Sequence, residues 1–279
     1  MKTGRQLQGI IETMPPLPEV AVQVLALVQD PDFAIDDVVS IVRTDPSLTA
    51  RLLKLCNSSL YSLATPVTDI RDAVGRLGTR NVVRVVVASC STHYFSDCQR
   101  RPRALDPHAI WRHALACGVA AEVLSERLDV SDPGTAFTAG VLHDIGKVAL
   151  SQQIDDDIEV TSPLPGEGLV AYEQRVLGSD HATVAGLVLE RWPVPSEVRR
   201  AIVDHHDPAK VIADPPLTAI VHVADLMVLR AGVGVPADGL VLEYLPEALR
   251  LLGIDSVRAD GFAPRFLTEL AKIEEMLAM

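Results

Sequence analysis

The stretch Val141-Leu142-His143-Asp144-Ile145-Gly146-Lys147-Val148 sets an imidazole and a carboxylate side by side inside an apolar run. The apolar residues before the pair predict a buried helix, and Gly146 predicts that this helix ends or loosens there. A buried carboxylate is costly unless it is paired or bound to a metal. Adjacent His and Asp side chains can ligate a single cation. What faces this pair therefore decides both the fold and the chemistry.

Outward in both directions the pattern is helical. Asp45-Pro46, Asp106-Pro107 and Asp132-Pro133 each read as an N-cap followed by proline at the first helical position, and Pro18 suits the first turn of another helix. The helix opened by Asp132 is predicted to carry His143 and Asp144. Thr68 or Asp69 caps a further helix with Ile70, Val74 and Leu77 as its stripe, and Gly78 suits its end. Asn57-Ser58-Ser59 closes the helix lined by Leu48, Leu52 and Leu55. The β-branched run Val82–Val87 reads as helix because nothing else in the chain could pair with it as a strand. Asp30-Pro31 is a turn, and residues 152–168 read as an acidic loop. The fold class expected is all-α.

Two breaks divide the chain. Residues 96–105 are polar, with Arg100-Arg101-Pro102-Arg103 read as a solvated linker, and Gly232 to Pro236 reads as a flexible joint. The expected parts are an N-terminal helical lobe over 1–105, a histidine-bearing lobe over 106–232 and a helical extension over 233–279.

Hydrophobic residues make up 48% and charged residues 22% of the 279, an ordinary globular composition, and with only 4% aromatics the core must be aliphatic. The net charge of −12 repels a polyphosphate backbone, so no nucleic-acid partner is expected. Cys56, Cys90, Cys98 and Cys117 form no Cys-x-x-Cys pair and read as reduced, mostly buried thiols. The N-terminus lacks the apolar run of a signal peptide, and no segment approaches the ~20 apolar residues of a membrane span. A cytoplasmic protein without membrane contact is expected.

Of the eight histidines, His113, His143, His181, His205 and His206 recur where helices start, cross or end. Singly, most have bland readings. His113 suits a satisfied core histidine, His181 a polar first-turn residue, and His205-His206 a complement to a helix dipole. Asp225 is different. It lies in the buried run Val221-His222-Val223-Ala224-Asp225-Leu226-Met227 and demands a partner, which His222 on the same face could be. Together these residues are a ligand set for one or two divalent ions, Fe or Mn first, with Zn, Co, Mg or Ni as alternatives. His113, His143 and Asp225 would make one site, His181, His205 and His206 the other, unless His206 lies behind the ligands instead, and Asp144 could bridge them. Two such ions would clamp a phosphoryl group and activate water, giving Asp144 a catalytic place. Lys147, one turn past Asp144, could bind a phosphate oxygen or orient that water, or be a surface lysine near a helix end.

His113, His143-Asp144 and Asp225 resemble the H…HD…D signature of the HD superfamily. The chain resembles its HDOD branch, the HD-related output domain, more closely. That resemblance runs over about residues 10–230 through Leu17-Pro18, Asp45-Pro46-Ser47-Leu48-Thr49, Asn57-Ser58, Ala73-Val74-Gly75-Arg76-Leu77-Gly78, Trp111-Arg112-His113, Leu177-Gly178-Ser179-Asp180-His181 and Trp192-Pro193-Val194-Pro195. It implies an all-α, two-lobed HDOD helical fold, with a small N-terminal helical lobe packed on an HD-like lobe. It implies a bacterial signal-transduction output module, regulatory or protein-interacting, with an HD-type metal site. The alternative is a dinuclear-metal-dependent phosphohydrolase acting on a nucleotide or phosphodiester. The partners expected are accordingly a signalling protein or a small-molecule phosphoester, and the last two helices could pack on the core or make a homodimer. Asp207-Pro208-Ala209-Lys210 follows His205-His206 and no Gly-Tyr-Pro motif appears, which argues against the cyclic di-GMP hydrolysis of the HD-GYP relatives. Ala109 stands where some relatives carry a further acidic ligand, so no third metal is expected.

Overall fold

The computed structural model describes residues 2–27, 33–58, 61, 66–96, 107–153, 164, 166–213, 216–234 and 243–278. Among these the chain is all-α, with no strand: α1 (Lys2–Thr13), α2 (Glu19–Leu27), α3 (Ile35–Val42), α4 (Pro46–Cys56), α5 (Ile70–Leu77), α6 (Thr79–Ser96), α7 (Pro107–Leu128), α8 (Pro133–Leu142), α9 (Ile145–Gln153), α10 (Leu169–Leu177), α11 (His181–Leu189), α12 (Ser196–Asp204), α13 (Pro208–Ala213), α14 (Pro216–Arg230), α15 (Pro246–Leu251), α16 (Ser256–Asp260) and α17 (Ala263–Ala278). The Asp30-Pro31 turn, Ser59, the basic linker from 97 on, Asp106, residues 154–163 of the acidic loop, and Val235 and Pro236 of the joint lie outside the described residues.

The chain forms two compact units, Met1–Pro16 with Ser91–Thr268 and Leu17–Cys90 with Glu269–Met279. The core of the smaller unit is aliphatic, as the composition requires: Val24, Val38, Val42, Leu52, Leu55, Val74, Val82 and Val86 are all buried. Its helix starts follow the predicted capping. Asp45 accepts the Leu48 amide at 3.0 Å, with Pro46 at the first helical position. Asp69, rather than Thr68, accepts the Arg71 amide at 2.8 Å. Asn57 does more than end α4. Its side-chain amide donates to the Val67 carbonyl at 2.7 Å and accepts the Val67 N–H at 2.6 Å, pinning the start of the next segment.

In the larger unit α7 crosses α8 with little space between backbones. A Cβ at Gly140 would fall 2.6 Å from the Cys117 carbonyl oxygen, and one at Gly118 would fall 2.9 Å from that of Phe137. The small buried residues Ala114, Ala116, Cys117, Ala120 and Ala121 let α7 pack on several sides at once. Helix α14 packs against α7, α8 and α12, and α9 against α1 and α11. Asp132 and Asp180 cap α8 and α11 through the amides of Thr135 and Thr183.

One sequence expectation is corrected here. The helix opened by Asp132 ends at Leu142, so His143 and Asp144 are not carried inside it but form the junction with α9. Gly146 does not end a helix either. It lies in the first turn of α9, where a Cβ would fall 1.9 Å from the His181 carbonyl oxygen. The glycine is there for close packing of α9 on α11.

Candidate metal centre

Five helical segments of the larger unit bring polar side chains to one buried point. His113 comes from the body of α7, His143 and Asp144 from the α8–α9 junction and His181 from the first turn of α11. His205 and His206 follow α12, and Asp225 comes from α14. All the site residues expected from the sequence are therefore brought together. His143, His181 and His205 are fully buried, and Asp144, Asp225 and His113 nearly so.

The rings are held by a shared device. His143 is the C-cap of α8, and its Nδ1 lies 2.8 Å from the Gly140 carbonyl oxygen. His205 is the C-cap of α12, and its Nδ1 lies 2.6 Å from the Ile202 carbonyl oxygen. In each case the ring takes up the carbonyl three residues back, one of those a helix end leaves without an intrahelical partner. His113 Nδ1 lies 3.2 Å from the Val233 carbonyl oxygen, and His181 Nδ1 lies 2.6 Å from Glu173 Oε2. A carbonyl or carboxylate oxygen only accepts, so Nδ1 carries the proton in all four, and Nε2 of each ring points inward. Nε2 of His143, of His181 and of His205, together with Asp144 Oδ1, are buried without a hydrogen-bond partner. Buried polar atoms are normally paired. Four that face one another are what a cation would satisfy, and a neutral imidazole with its other nitrogen anchored is the usual histidine ligand.

The distances agree. Asp225 Oδ1 is 3.0 Å from His113 Nε2 and 3.7 Å from His143 Nε2. Asp144 Oδ1 is 3.4 Å from His143 Nε2 and 3.7 Å from His181 Nε2, which places this carboxylate between the two groups of histidines. Ligand atoms of His113, Cys117, His143 and Asp225 lie within 4.8 Å of one another, as do those of His181, His205 and His206. Lys147 Nζ donates to Asp144 Oδ2 at 2.7 Å, so the lysine is an ion-pair partner and no free surface residue.

The electrostatics follow from burial against charge. Burial opposes the charged form of Asp144, but His143, Lys147 and His181 overcome it and hold its carboxyl well below the usual carboxylate range. Burial likewise opposes a charged Asp225, and the imidazoles of His113 and His143 beside its Oδ1 outweigh it and lower its pKa strongly. Burial pushes His205 down to about 3, with His143 and His181 adding to the effect, and His206 also falls well below its ordinary value. His205 and His206 thus offer neutral nitrogens at physiological pH. Burial and the two aspartates push the Cys117 thiol up.

Against known proteins, the model of the HDOD domain matches residues 14–208. The chain belongs to the HDOD domain family. A crystal structure described as an HDOD domain protein with unknown function, from Geobacter sulfurreducens, is 26% identical, with a TM-score of 0.69 over 99% of this chain and 95% of that one. A protein of Marinobacter aquaeolei VT8, provisionally described as a signal transduction protein, is 23% identical, with a TM-score of 0.73 over 99% of this chain and 66% of that one. One of Shewanella amazonensis SB2B, provisionally described as a metal-dependent phosphohydrolase, is 20% identical, with a TM-score of 0.62 over 99% and 100% of the two chains. At those identities the last two speak for the fold alone. An uncharacterized protein of Treponema pallidum (strain Nichols) is 24% identical over 212 residues, 74% of this HDOD chain. The chain spans 40% of the length of that curated relative. No helix among the described residues is long and apolar enough to cross a membrane.

Two residues beside the candidate ligands were not expected from the sequence, and a third has a different partner. Glu173 holds His181 through both its ring and its backbone N–H, the latter at 2.9 Å. In sequence it is one more glutamate of an amphipathic helix. Cys117 follows His113 by four residues, a spacing that places both on one face of α7 and was there to be read. His222, expected to partner Asp225, accepts the Leu245 amide at Nε2 instead, at 2.9 Å.

Proposed function

We propose that this chain is a bacterial signal-transduction output module of HDOD type, built around an HD-type centre for divalent cations and acting through a protein partner. The observation that carries the metal is the set of four inward-facing, unpartnered polar atoms on His143, Asp144, His181 and His205. His113, His143 and Asp225 would hold one cation and His181, His205 and His206 another, with Asp144 between them. A regulatory role is favoured by how closed the centre is. Of the cluster's side chains only those of His206 and Lys147, 18% and 19% exposed, give it an edge toward solvent. Lys147 also occupies Asp144 Oδ2, one of the two oxygens a bridging carboxylate would use.

A second reading, a dinuclear phosphohydrolase acting on a nucleotide or phosphodiester, draws on the same ligand set. Bound cations there would supply charge neutralisation and an activated water. Lys147 would hold Asp144 in place and meet a phosphoryl oxygen at the exposed edge.

The test is the metal content of protein purified without chelator under anaerobic conditions. About two equivalents of divalent metal in the wild type, lost in Asp144→Ala, is the expected result. Metal-free wild type would overturn both readings. With metal bound, turnover of phosphodiesters or nucleotides that disappears in Lys147→Gln while the metal stays would assign the second reading over the first.

A further inference from the structure

The thiol of Cys117 belongs to the ligand cluster by position. It is fully buried on α7, one turn after His113, with Sγ 3.5 Å from His113 Nε2. Its sulfur and one ligand atom each of His113, His143 and Asp225 lie within 4.8 Å of one another. His143 Nε2, buried and without a hydrogen-bond partner, faces the same space. Around a tetrahedral zinc, bonds of ~2.3 Å to sulfur and ~2.0–2.1 Å to nitrogen put the two ligand atoms ~3.6 Å apart. The separation found here is that of two ligands of one ion, reached with both side chains on one helix face. The 117–118 backbone is also fixed closely against α8, since even a Cβ at Gly140 would collide with the Cys117 carbonyl at 2.6 Å.

We propose that Cys117 is a metal ligand, completing a His113–Cys117–His143–Asp225 site that selects a thiophilic cation, Zn2+, Co2+ or Fe2+, over Mg2+ and Mn2+. The inference rests on the reading of this cluster as a metal centre and adds sulfur to it. Thiolate ligands favour softer cations, whereas carboxylate and water suit Mg2+ and Mn2+. On binding, the Cys117 S–H bond gives its proton to solvent and the sulfur lone pair goes to the cation, with no change of oxidation state. The two halves of the centre then differ in kind. The 181–205–206 group is all nitrogen, while the half built on α7 and α14 carries sulfur and a carboxylate.

The test uses the full chain, stripped of metal and loaded with Co2+ or Zn2+. The Co2+ protein is expected to show a near-ultraviolet thiolate-to-metal charge-transfer band. That band should vanish in Cys117→Ser and persist in Cys90→Ser. X-ray absorption of the Zn2+-loaded wild type should show a sulfur neighbour at ~2.3 Å, a result that needs no variant to fold. Zn2+ affinity should fall at least ~10-fold in Cys117→Ser, with Mg2+ affinity unchanged. Co2+ or Zn2+ bound with only nitrogen and oxygen neighbours, or a band that survives in Cys117→Ser, overturns the thiolate while leaving the metal centre standing. No binding of either cation overturns both.

Discussion

Gly146→Ala would test whether the backbone contact between α9 and α11 sets the geometry of the centre. A Cβ at 146 would fall 1.9 Å from the His181 carbonyl oxygen and 2.7 Å from the Ala185 nitrogen, both backbone atoms with no rotamer to yield. Contacts below 3.0 Å are essentially never seen for a Cβ, so the helices must part by at least 3.0 − 1.9 = 1.1 Å. Overpacking of this kind costs ~1–3 kcal/mol, and the upper end applies when backbone faces backbone. Alanine in a helix returns ~1 kcal/mol relative to glycine. The net loss is then about 2 kcal/mol, or a fall in Tm of roughly 4–8 °C at ~2–4 °C per kcal/mol. The larger effect should be on binding. His181 is the first residue of α11, and a shift of that size exceeds the ~0.5 Å within which a site must be held. Zn2+ affinity should drop by more than ~10-fold. Thermal unfolding with and without metal, and chelator competition, measure the two effects. Gly75→Ala is the control, because a Cβ there meets nothing within 4 Å and should raise Tm slightly. A Gly146→Ala protein with wild-type Tm and wild-type affinity would refute the packing argument.

Three further outcomes follow from other contacts. Glu173→Gln keeps the shape but removes the charge that faces His181 Nδ1 at 2.6 Å, and chelator competition should show metal affinity lower by ~10–100-fold; an unchanged affinity would remove Glu173 from the site. Gly234→Ala places a Cβ 2.8 Å from His113 Nδ1 at a backbone φ of +109°, so Tm and metal content should both fall, while retained metal at full stoichiometry would show that His113 is free to move. Asp260 takes a bidentate pair from Arg230, at 3.0 and 2.7 Å, and the Tyr244 hydroxyl at 2.6 Å. The hydrogen bond from Arg230, chiefly, lowers its pKa in the folded state. Its contribution to stability is therefore fully present above the unfolded value of ~3.9 and lost as pH falls through the lower folded value. Chemical denaturation should find Asp260→Asn less stable than wild type at pH 7 and the gap closing below pH ~4; a gap constant with pH would contradict this.

The fold was legible because capping and periodicity agreed along most of the chain. Asp45, Asp69, Asp132 and Asp180 all cap as side chains before apolar stripes, and even the valine-rich segment is helix, since no strand was available to pair with it. The short helices α13 and α16 were not legible. At six and five residues they offer less than two turns of periodicity. The gathering of His113, the His143-Asp144 pair, His181, His205, His206 and Asp225 was legible from chemistry, because buried carboxylates and repeated histidines had one common explanation. What periodicity could not show were the contacts between elements: Glu173 reaching His181 from another helix, Val233 offering its carbonyl to His113, and Gly146 meeting the backbone of α11.

Gly146 invited the wrong inference because glycine after an apolar helix usually means a C-cap. The break comes two residues sooner, for a reason that lies in the histidine. Were α8 to run on through Asp144, the Gly140 carbonyl would be shared with the amide of residue 144, four positions on, and the His143 ring would compete for it. Ending the helix at Leu142 leaves that carbonyl to His143 Nδ1 and swings Nε2 into the centre. The same arrangement recurs where α12 ends at Asp204 and the Ile202 carbonyl holds His205. The His-Asp and His-His pairs are thus two copies of one local structure, in which a helix end fixes the tautomer of the imidazole that follows it. It follows that a histidine at either position cannot be replaced by another metal-binding residue without also losing a helix terminus. His205→Cys, which keeps a possible ligand but no Nδ1–H, should lower metal affinity and also destabilise the metal-free protein, by the ~1–3 kcal/mol of a buried acceptor left unpaired. Denaturant unfolding of the metal-free variant reads this directly, and a metal-free His205→Cys as stable as wild type would show that the ring does not hold the end of α12.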